Sequence, residues 1–561
     1  MSVSSVTTAA DDPQSAVNPG SSQLRSAWLY RIALLAIVIV ACGRVAATYR
    51  VFSETYDESL HIAAGLQWLG GGAYTYEEKQ PPLAQVAAAV GPFLDGQRSH
   101  PELGLAGDEH AIMYDGPGGL LRTLTVSRLG SLPFLVLGIL VVAAWGRRVG
   151  GDAAGLIAAL LFSTNPTVLG HAGLANTDVP HATTLAAAFF AGILWLDRPT
   201  LRQSIWLGIA VAAAILCKLS ALPFLGLAGA AIVVMRWMLH RRHGQPASPF
   251  SRRAASTLLV ATGVAVIVVL AGYRFSVGPV ALPRVGGHIT VFAPEFFDGL
   301  RDVYQHNHNG NQTFFLGEVG TRGWWYYFPV MLAVKTPLPF LILAVAGAVA
   351  AEVSLRSRRA LDPISALICA GAVLLFSMTA HINLGVRHVL GAVPPLAVVA
   401  AYGAVELWRA RSVVSQAMVR AAVSLLILFQ VGESIAVHPD YLAYFNVLAG
   451  ARPEQISVGA DLDWGQDLFR LRDELRKRKV DSLSIAYFGA ADVSQYGIPN
   501  ARPLRPGRPV SGWIALSEGR KVGGTFEWLS ERFTPVTRVG KSILLYYVPA
   551  DSLRPARPAN R

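Results

Sequence analysis

The first residues that could do chemistry stand just after the first apolar run of the chain. Asp57 and Glu58 are adjacent carboxylates, and His61 follows about one helical turn later. Carboxylates and histidines are the side chains that most often take or give protons in enzymes. The same residues could instead begin a solvated helix, with Asp57 as its cap and Glu58 in its first turn. The spacing alone leaves both interpretations open.

The composition indicates that these residues belong to a membrane protein. Of the 561 residues, 52% are hydrophobic and 15% are charged, whereas soluble domains carry about 25% charged residues. The net charge is +12, but the arginines sit mostly in short loops between apolar runs, which is typical of topology control. No phosphate loop, zinc-finger spacing or RNA-binding motif supports nucleic acid as a partner. The three cysteines lie in apolar stretches and are expected to be packing residues.

Apolar runs long enough to cross a bilayer core of about 30 Å recur along the chain. The hydropathy pattern therefore predicts a mainly α-helical, polytopic membrane protein with about eleven spans. The predicted spans are Trp28–Thr48, Leu129–Gly146, Ala153–Leu169, Val179–Leu196, Ser204–Cys217, Ala221–Leu239, Ser256–Tyr273, Tyr326–Ala350, Ile364–Ala380, Val389–Leu407 and Val419–Val437.

Basic residues mark alternate loops, and such loops face the cytoplasm. The N-terminus is then predicted to lie inside and the C-terminal region outside the plasma (inner) membrane, which agrees with an odd number of spans. The basic loops hold Arg147-Arg148, Arg198 with Arg202, Arg236 to Arg253, Arg356 to Arg359, and Arg409 to Arg420.

The remaining segments divide into tails and long outer loops. Residues 1–27 are polar and are predicted to form a disordered cytoplasmic tail. The membrane domain covers residues 28–437 and includes the outer loops 50–128 and 273–325. Residues 552–561 are expected to be a flexible tail.

Residues 438–551 are predicted to form a small extracytoplasmic α/β domain. This stretch alternates short β-like runs with one helix-like stretch, Gln466–Lys479. The predicted strands are Ser457–Ala460, Ser482–Phe488, Trp513–Leu516 and Ser542–Val548.

Several short motifs follow one another in a distinctive order. Asp57-Glu58 lies in the first outer loop, and Pro81-Pro82-Leu83 comes about two dozen residues later. The chain from about Trp28 to Asp467 resembles the GT-C superfamily of membrane glycosyltransferases. Within it, the chain is most similar to the protein O-mannosyltransferase group and the bacterial transferases that modify lipid A with aminoarabinose. Further motifs shared with that group are GWWYYFP from Gly323, KTPLP from Lys335, GVRH from Gly385, YFN from Tyr444 and DLDWGQD from Asp461.

This resemblance implies that a sugar moves from a polyprenyl-phosphate carrier to a hydroxyl of a lipid, glycan or protein acceptor. Asp57 matches the catalytic aspartate of the family, so it is expected to take the proton of the attacking hydroxyl. Glu58 is expected to position the acceptor or to support Asp57. The leaving phosphate gains negative charge, and it therefore needs cations more than a general acid.

Four basic residues are candidates for holding that phosphate, because fixed cations in a partly dry site stabilise developing charge far better than in water. They are Lys79, Lys218, Arg274 and Arg387. Lys218 lies between two apolar runs, where an ionisable group indicates function, although a lysine that merely reaches the interface is the alternative. Arg274 could be an ordinary span-end arginine, and Arg387 lies in the GVRH motif. In the aminoarabinose enzymes a Glu-Lys pair directly precedes the prolines, whereas here Gln80 intervenes after Lys79.

A second outer connection supplies further candidates. Asp178 and His181 could orient sugar hydroxyls or bind a divalent cation together with Asp57 or Glu58. A helix N-cap explains Asp178 as well. With His61 and His388, these two residues complete the predicted substrate-binding set. The histidines show no metal-binding spacing, so no metal ligand is assigned, and a divalent cation stays open as a cofactor.

The alternative from another functional class is a transporter or flippase of a lipid-linked envelope precursor. Such proteins commonly contain paired repeats and charged or broken helices near the membrane midplane. In this chain no internal repeat is found, and the spans are almost free of ionisable residues. The carboxylates and cations gather instead at outer ends, which favours a glycosyltransferase.

Overall fold

The computed structural model describes residues 19–72, 74–242, 252–281, 286–356, 362–410 and 415–553. Parts of the two predicted tails, residues 1–18 and 554–561, lie outside the described residues. The first helix already begins at Pro19, so residues 19–27 are helical where a disordered tail was predicted.

Helices dominate the described residues, as predicted. In chain order they are α1 (Pro19–Ala46), α2 (Glu58–Gly71), α3 (Pro82–Leu94), α4 (Gly104–His110), α5 (Gly119–Leu129), α6 (Leu132–Gly150), α7 (Asp152–Ser163), α8 (Pro166–Ala172), α9 (Asp178–Asp197), α10 (Leu201–Cys217), α11 (Ala221–Arg242), α12 (Arg252–Gly272), α13 (Pro294–Asn309), α14 (Tyr327–Lys335), α15 (Leu338–Arg356), α16 (Asp362–Ser377), α17 (Val393–Arg409), α18 (Gln416–Ala436), α19 (Leu468–Lys477), α20 (Glu518–Lys521) and α21 (Glu527–Ser530).

The chain is a multi-pass membrane protein, and helices occupy all eleven positions at which a span was predicted. Within the described ranges, 8 helices are long and apolar enough to cross a membrane, and α7 with α8 makes 9 if that bent pair is one span. The other two predicted spans are the shorter apolar helices α10 and α16.

Two predicted spans are broken in the structure, and proline explains both breaks. The predicted span Ala153–Leu169 bends by 62° between α7 and α8, because Pro166 cannot continue a helix and Asn165 caps the new one. The predicted span Tyr326–Ala350 divides into α14 and α15 at Thr336-Pro337. Of these two helices, α15 is the one long enough to cross the membrane.

The most buried membrane helix is α17, which packs against α15 through glycines. A Cβ atom on Gly347 would overlap the backbone of Val399, and one on Gly403 would overlap the backbone of Gly347 and Leu343. Such close contact between small residues is a common way for helices to pack in lipid.

The two long loops that were predicted to lie outside the cytoplasm are themselves folded. Loop 50–128 forms α2 to α5, with a π-helical turn at Ala111–Asp115. Loop 273–325 forms α13 between two antiparallel hairpins. Their strands are β1 (Val277–Ala281), β2 (His288–Phe292), β3 (Thr313–Phe315) and β4 (Glu318–Gly320).

The C-terminal part contains the predicted α/β structure. Its five-stranded sheet has the order β6-β5-β7-β9-β8, with β5 parallel to β6 and β7 and the other pairs antiparallel. Three predicted strands and the predicted helix, α19, are confirmed. The strands are β5 (Leu483–Ala486), β6 (Ala501–Pro503), β7 (Gly512–Ser517), β8 (Thr537–Val539) and β9 (Ile543–Val548).

The predicted strand Ser457–Ala460 is wrong. The chain there makes a 3₁₀ turn, Gly459–Asp461, and the side chain of Asp461 turns back to bind the backbone of Val386. The segment that follows joins the first outer loop, since the Ser53 and Tyr56 amides donate to the carbonyls of Gln466 and Trp464.

Candidate active site

Asp57 occupies the N-cap position of α2, but its side chain does not cap that helix. One oxygen, Oδ2, accepts a hydrogen bond of 2.6 Å from Nη1 of Arg387. No described residue donates to the other oxygen, and the side chain is 24% exposed. Helix capping therefore does not account for Asp57, which presents one unoccupied carboxylate oxygen beside an arginine.

Glu58 is fully buried and its carboxylate is fully occupied. Arg128 donates to Oε1 from Nε at 2.8 Å and to Oε2 from Nη2 at 2.7 Å. The Ala175 amide donates to Oε1 at 2.9 Å, and the Thr55 amide and hydroxyl donate to Oε2 at 2.9 and 3.1 Å. Glu58 thus has no free oxygen for an acceptor or a metal ion. Of its two predicted roles, only support for Asp57 fits this placement.

Arg387 is held on three sides. Its Nε donates to the Leu384 carbonyl at 3.0 Å, and its guanidinium carbon lies 4.5 Å from the centre of the Trp464 ring. Nη1 contacts Asp57 and stands 3.9 Å from Oδ2 of Asp178. Nη2 makes no hydrogen bond with a described residue, so it remains available to an anion.

Asp178 and Lys218 form the second half of the cluster. Asp178 begins α9 and is buried, and its Oδ1 accepts a 3.0 Å hydrogen bond from Nζ of Lys218. Lys218 follows the last residue of α10 in an extended conformation and is 14% exposed. Nδ1 of His171 lies 3.5 Å from the other oxygen of Asp178. The predicted cation Lys218 is thereby joined to the predicted residues Asp178, Arg387 and Asp57 in one chain of contacts.

The predicted histidines lie near this cluster in supporting positions. Nδ1 of His61 is 3.3 Å from the Ala175 carbonyl, and burial lowers the pKa of His61, which favours its neutral form. Nε2 of His181 is 3.2 Å from the Ser220 hydroxyl. The ring of His388 stacks on Phe328, with 6.2 Å between ring centres. None of the three makes an ion pair with Asp57.

The structure does not bring two predicted phosphate ligands into the cluster. Lys79 is exposed and forms no ion pair with a described residue. It lies close enough to Glu77 to oppose the effect of burial, which raises the pKa of Glu77 to about 7. Arg274 is exposed and stacks over Trp68, 4.6 Å from the ring centre.

The cluster does not fit a divalent cation shared by Asp57 and Asp178. Nη1 of Arg387 stands between these carboxylates, at 2.6 and 3.9 Å. Glu58, the other predicted ligand, has no free oxygen. Among the described residues, no group of three His, Cys, Asp or Glu side chains is arranged to hold a metal ion.

The sequence interpretation missed four residues that shape the site. No motif marks Arg128 or His171 in the sequence. Asp461 and Trp464 belong to the DLDWGQD motif, but the motif alone does not show which of its residues face the site. Asp463 of the same motif accepts a 2.8 Å hydrogen bond from the Gly519 amide and does not cap α19, which begins at Leu468.

Comparisons with known proteins agree with this architecture. A family model described as dolichyl-phosphate-mannose-protein mannosyltransferase matches residues 122–270. The S. cerevisiae protein O-mannosyltransferase Pmt1-Pmt2, solved bound to the sugar donor, is 10% identical with a TM-score of 0.55. This match covers 73% of this chain and 90% of that chain, and it shows a shared fold.

Two further solved structures are similar over most of the chain. ArnT from Cupriavidus metallidurans, bound to undecaprenyl phosphate, has a TM-score of 0.47 and 13% identity over 92% of this chain and 98% of that one. AglB from Archaeoglobus fulgidus, with an inhibitory peptide and a dolichol-phosphate, has a TM-score of 0.46 and 13% identity over 87% of this chain and 70% of that one. Among curated proteins, none matches this chain in sequence.

Proposed function

We propose that this chain, a membrane glycosyltransferase of the GT-C superfamily that resembles the protein O-mannosyltransferase group, transfers a sugar from a polyprenyl-phosphate donor to a hydroxyl acceptor. The reaction takes place at the outer face of the plasma (inner) membrane. The observation that carries the proposal is the Asp57 carboxylate, which Arg387 holds by one oxygen while the other oxygen is unoccupied.

In this reaction Asp57 acts as the general base. The acceptor oxygen attacks the anomeric carbon of the sugar as its proton passes to the free oxygen of Asp57. The bond between the anomeric carbon and the phosphate oxygen breaks, and its electron pair stays on the departing polyprenyl phosphate. Attack from the side opposite to the leaving group inverts the configuration of the anomeric carbon.

The cations of the cluster stabilise the phosphate as its charge grows. Nη2 of Arg387 has no partner among the described residues, and Lys218 uses one of its three donors on Asp178. Because Asp178 is buried and fixed, it keeps Lys218 in place before any substrate binds. Preorganised charge of this kind stabilises a transition state without further rearrangement. Lys79 and Arg274 lie outside the cluster, so their predicted contact with phosphate would require movement of either the side chain or the lipid.

The donor class rests on the family model, whose description names dolichyl-phosphate-mannose, and on the S. cerevisiae structure solved with its sugar donor. The rival proposal of a transporter or flippase is not favoured by GT-C membership. A transporter would also have no evident use for a carboxylate with one oxygen held and the other free.

Transfer assays with defined donors test this function. Vesicles containing the protein are incubated with a panel of radiolabelled polyprenyl-phosphate sugars and an envelope fraction from cells that lack the gene. We expect label to move from one of these lipids to a hydroxyl of the acceptor fraction, and no label to move from nucleotide sugars. If nucleotide sugars alone serve as donors, the proposal is wrong.

Asp57→Asn tests the base. Asn keeps the shape of Asp57 and its hydrogen bond to Arg387 but cannot accept the proton, so turnover should fall by roughly 10²–10⁴-fold. Expression should stay unchanged and thermal stability should fall only slightly, because Asp57 does not cap α2 and the amide oxygen still accepts the hydrogen bond from Arg387. Asp115→Asn, which alters a carboxylate of the same outer loop that is 71% exposed, is the matched control. Wild-type turnover in the Asp57→Asn variant would remove Asp57 from the mechanism.

A further inference from the structure

One short segment is attached both to the loop that carries Asp57 and to the turn that carries Arg387. It runs from Asp461 to Gln466 and precedes α19. Its fold is fixed internally, since the Trp464 amide donates to Oε1 of Gln466 at 2.7 Å and Nε2 of Gln466 donates to the Leu462 carbonyl at 2.8 Å. We name it the bridging segment.

The bridging segment is attached to the backbone that carries Asp57. The Tyr56 amide donates to the Trp464 carbonyl at 3.1 Å, and the Ser53 amide donates to the Gln466 carbonyl at 2.9 Å. The Ser53 hydroxyl adds a 2.8 Å bond to the Gly465 carbonyl. The position of Asp57 is therefore set relative to Trp464.

The same segment is attached to the turn that carries Arg387. Oδ1 of Asp461 accepts a 2.9 Å hydrogen bond from the Val386 amide, next to Arg387. Nζ of the buried Lys335 donates to the Asp461 carbonyl at 2.7 Å. The Trp464 ring, 3% exposed, lies against the Arg387 guanidinium.

We infer that Trp464 is a positioning residue that limits the contact between Arg387 and Asp57 to one hydrogen bond. This inference rests on the proposed function. A free guanidinium pairs with a carboxylate through two parallel hydrogen bonds. That arrangement would place a charged donor on both oxygens of Asp57 and so make the oxygen that takes the acceptor proton less basic. The indole face fixes the plane of the guanidinium, so that one nitrogen meets Asp57 and Nη2 remains free for the phosphate.

Kinetics of two Trp464 variants test this inference. Trp464→Leu removes the flat face and should lower kcat on the order of tenfold to a hundredfold, as small displacements of catalytic groups do. Donor KM should rise as well, because Nη2 would turn from the phosphate to Asp57. Because a second hydrogen bond favours the charged carboxylate, the acid limb of the kcat/KM profile should move to lower pH. Trp464→Phe keeps a flat ring and should restore most of kcat and the wild-type profile.

Trp513→Leu, which removes an indole of the same domain that packs on Tyr547, serves as the control and should leave kcat unchanged. The inference is overturned if Trp464→Leu retains wild-type kcat. It is also overturned if Leu and Phe lose activity equally with an unmoved acid limb, because the indole would then only support the fold. If the wild-type protein transfers no sugar from any polyprenyl phosphate, the proposed function fails instead.

Discussion

Asp57 and Glu58 are neighbours in the chain, yet both carboxylate oxygens of Glu58 are occupied and one oxygen of Asp57 is free. The partner of Glu58 is Arg128, 70 residues away, and the partner of Asp57 is Arg387, 330 residues away. A motif can point to the pair, but it cannot say which carboxylate is free, because distant residues decide that. For the same reason the sequence identified Lys218, Asp178 and Arg387 one by one but not their contacts.

The buried Glu58–Arg128 pair leads to a prediction about stability. Removing one partner of such a pair leaves an uncompensated buried charge, so Glu58→Gln should lower the free energy of unfolding by about 3–5 kcal/mol. The double variant Glu58→Gln with Arg128→Met should recover part of this loss. Thermal unfolding of the purified protein in detergent measures both effects. A wild-type midpoint for Glu58→Gln would show that the pair contributes nothing to stability.

The same pair makes stability depend on pH. Burial alone would raise the pKa of Glu58, but Arg128 and the hydrogen bonds from Ala175 and Thr55 outweigh it and hold the pKa below its usual value of 4.5. The unfolded chain then binds more protons, so this contribution is complete above about pH 4.5 and is lost as the pH falls below that value. The Glu58→Gln variant should show a smaller acid-induced fall in its unfolding midpoint than the wild-type protein.

At the scale of helices and strands, hydropathy predicts where helices lie but not where they break. The predicted spans at α7 and α14 break at Pro166 and Pro337, whereas Pro92 lies inside α3 without ending it, so a proline alone does not locate a break. The short strands β6 and β8 have three residues each. A segment of three residues is too short to show the alternation of polar and apolar residues that marks a strand. Their pairing is decided by the longer strands β5 and β9 beside them.

The close crossing of α15 and α17 predicts opposite effects on stability for the same substitution at two glycines. Alanine normally favours a helix over glycine by about 1 kcal/mol, but at Gly347 the added methyl group would overlap the Val399 backbone. Gly347→Ala should therefore destabilise the protein by about 1–3 kcal/mol. Gly371→Ala in α16, where nothing lies within 4 Å of the added Cβ atom, should be neutral or slightly stabilising. Equal unfolding midpoints for the two variants would contradict the crossing.

At the scale of the whole molecule, α9 connects the candidate site with the basic end of the bundle. It begins at Asp178 in the site and ends at Asp197, which pairs with Arg148 and, at 2.8 Å, with Arg236. Twenty residues of helix at about 1.5 Å each span about 30 Å, the thickness of a bilayer core. With the basic end in the cytoplasm, as the arginine pattern predicts, the candidate site lies at the outer face, where the proposed function requires it.

Reporter fusions test this orientation. An alkaline phosphatase fused after Val437 should be active outside the cytoplasm, and one fused after Arg241 should be inactive, because basic loops face inward. A cytoplasmic fluorescent reporter at the same two positions should give the reverse result. If both phosphatase fusions are active, or both are inactive, the predicted number of crossings between the two positions is wrong.

The attachment of Ser53 and Tyr56 to the bridging segment has a consequence for the order of biosynthesis. The two partners of these hydrogen bonds are separated by more than 400 residues. Ser53 and Tyr56 therefore leave the ribosome long before the bridging segment is translated. Every membrane helix can be inserted while Asp57 and Arg387 still lack the structure that aligns them. Under the proposed function, the nascent protein therefore enters the membrane before its active site is assembled. It becomes able to use a lipid donor once the part of the chain translated after α18 has folded back onto loop 50–128.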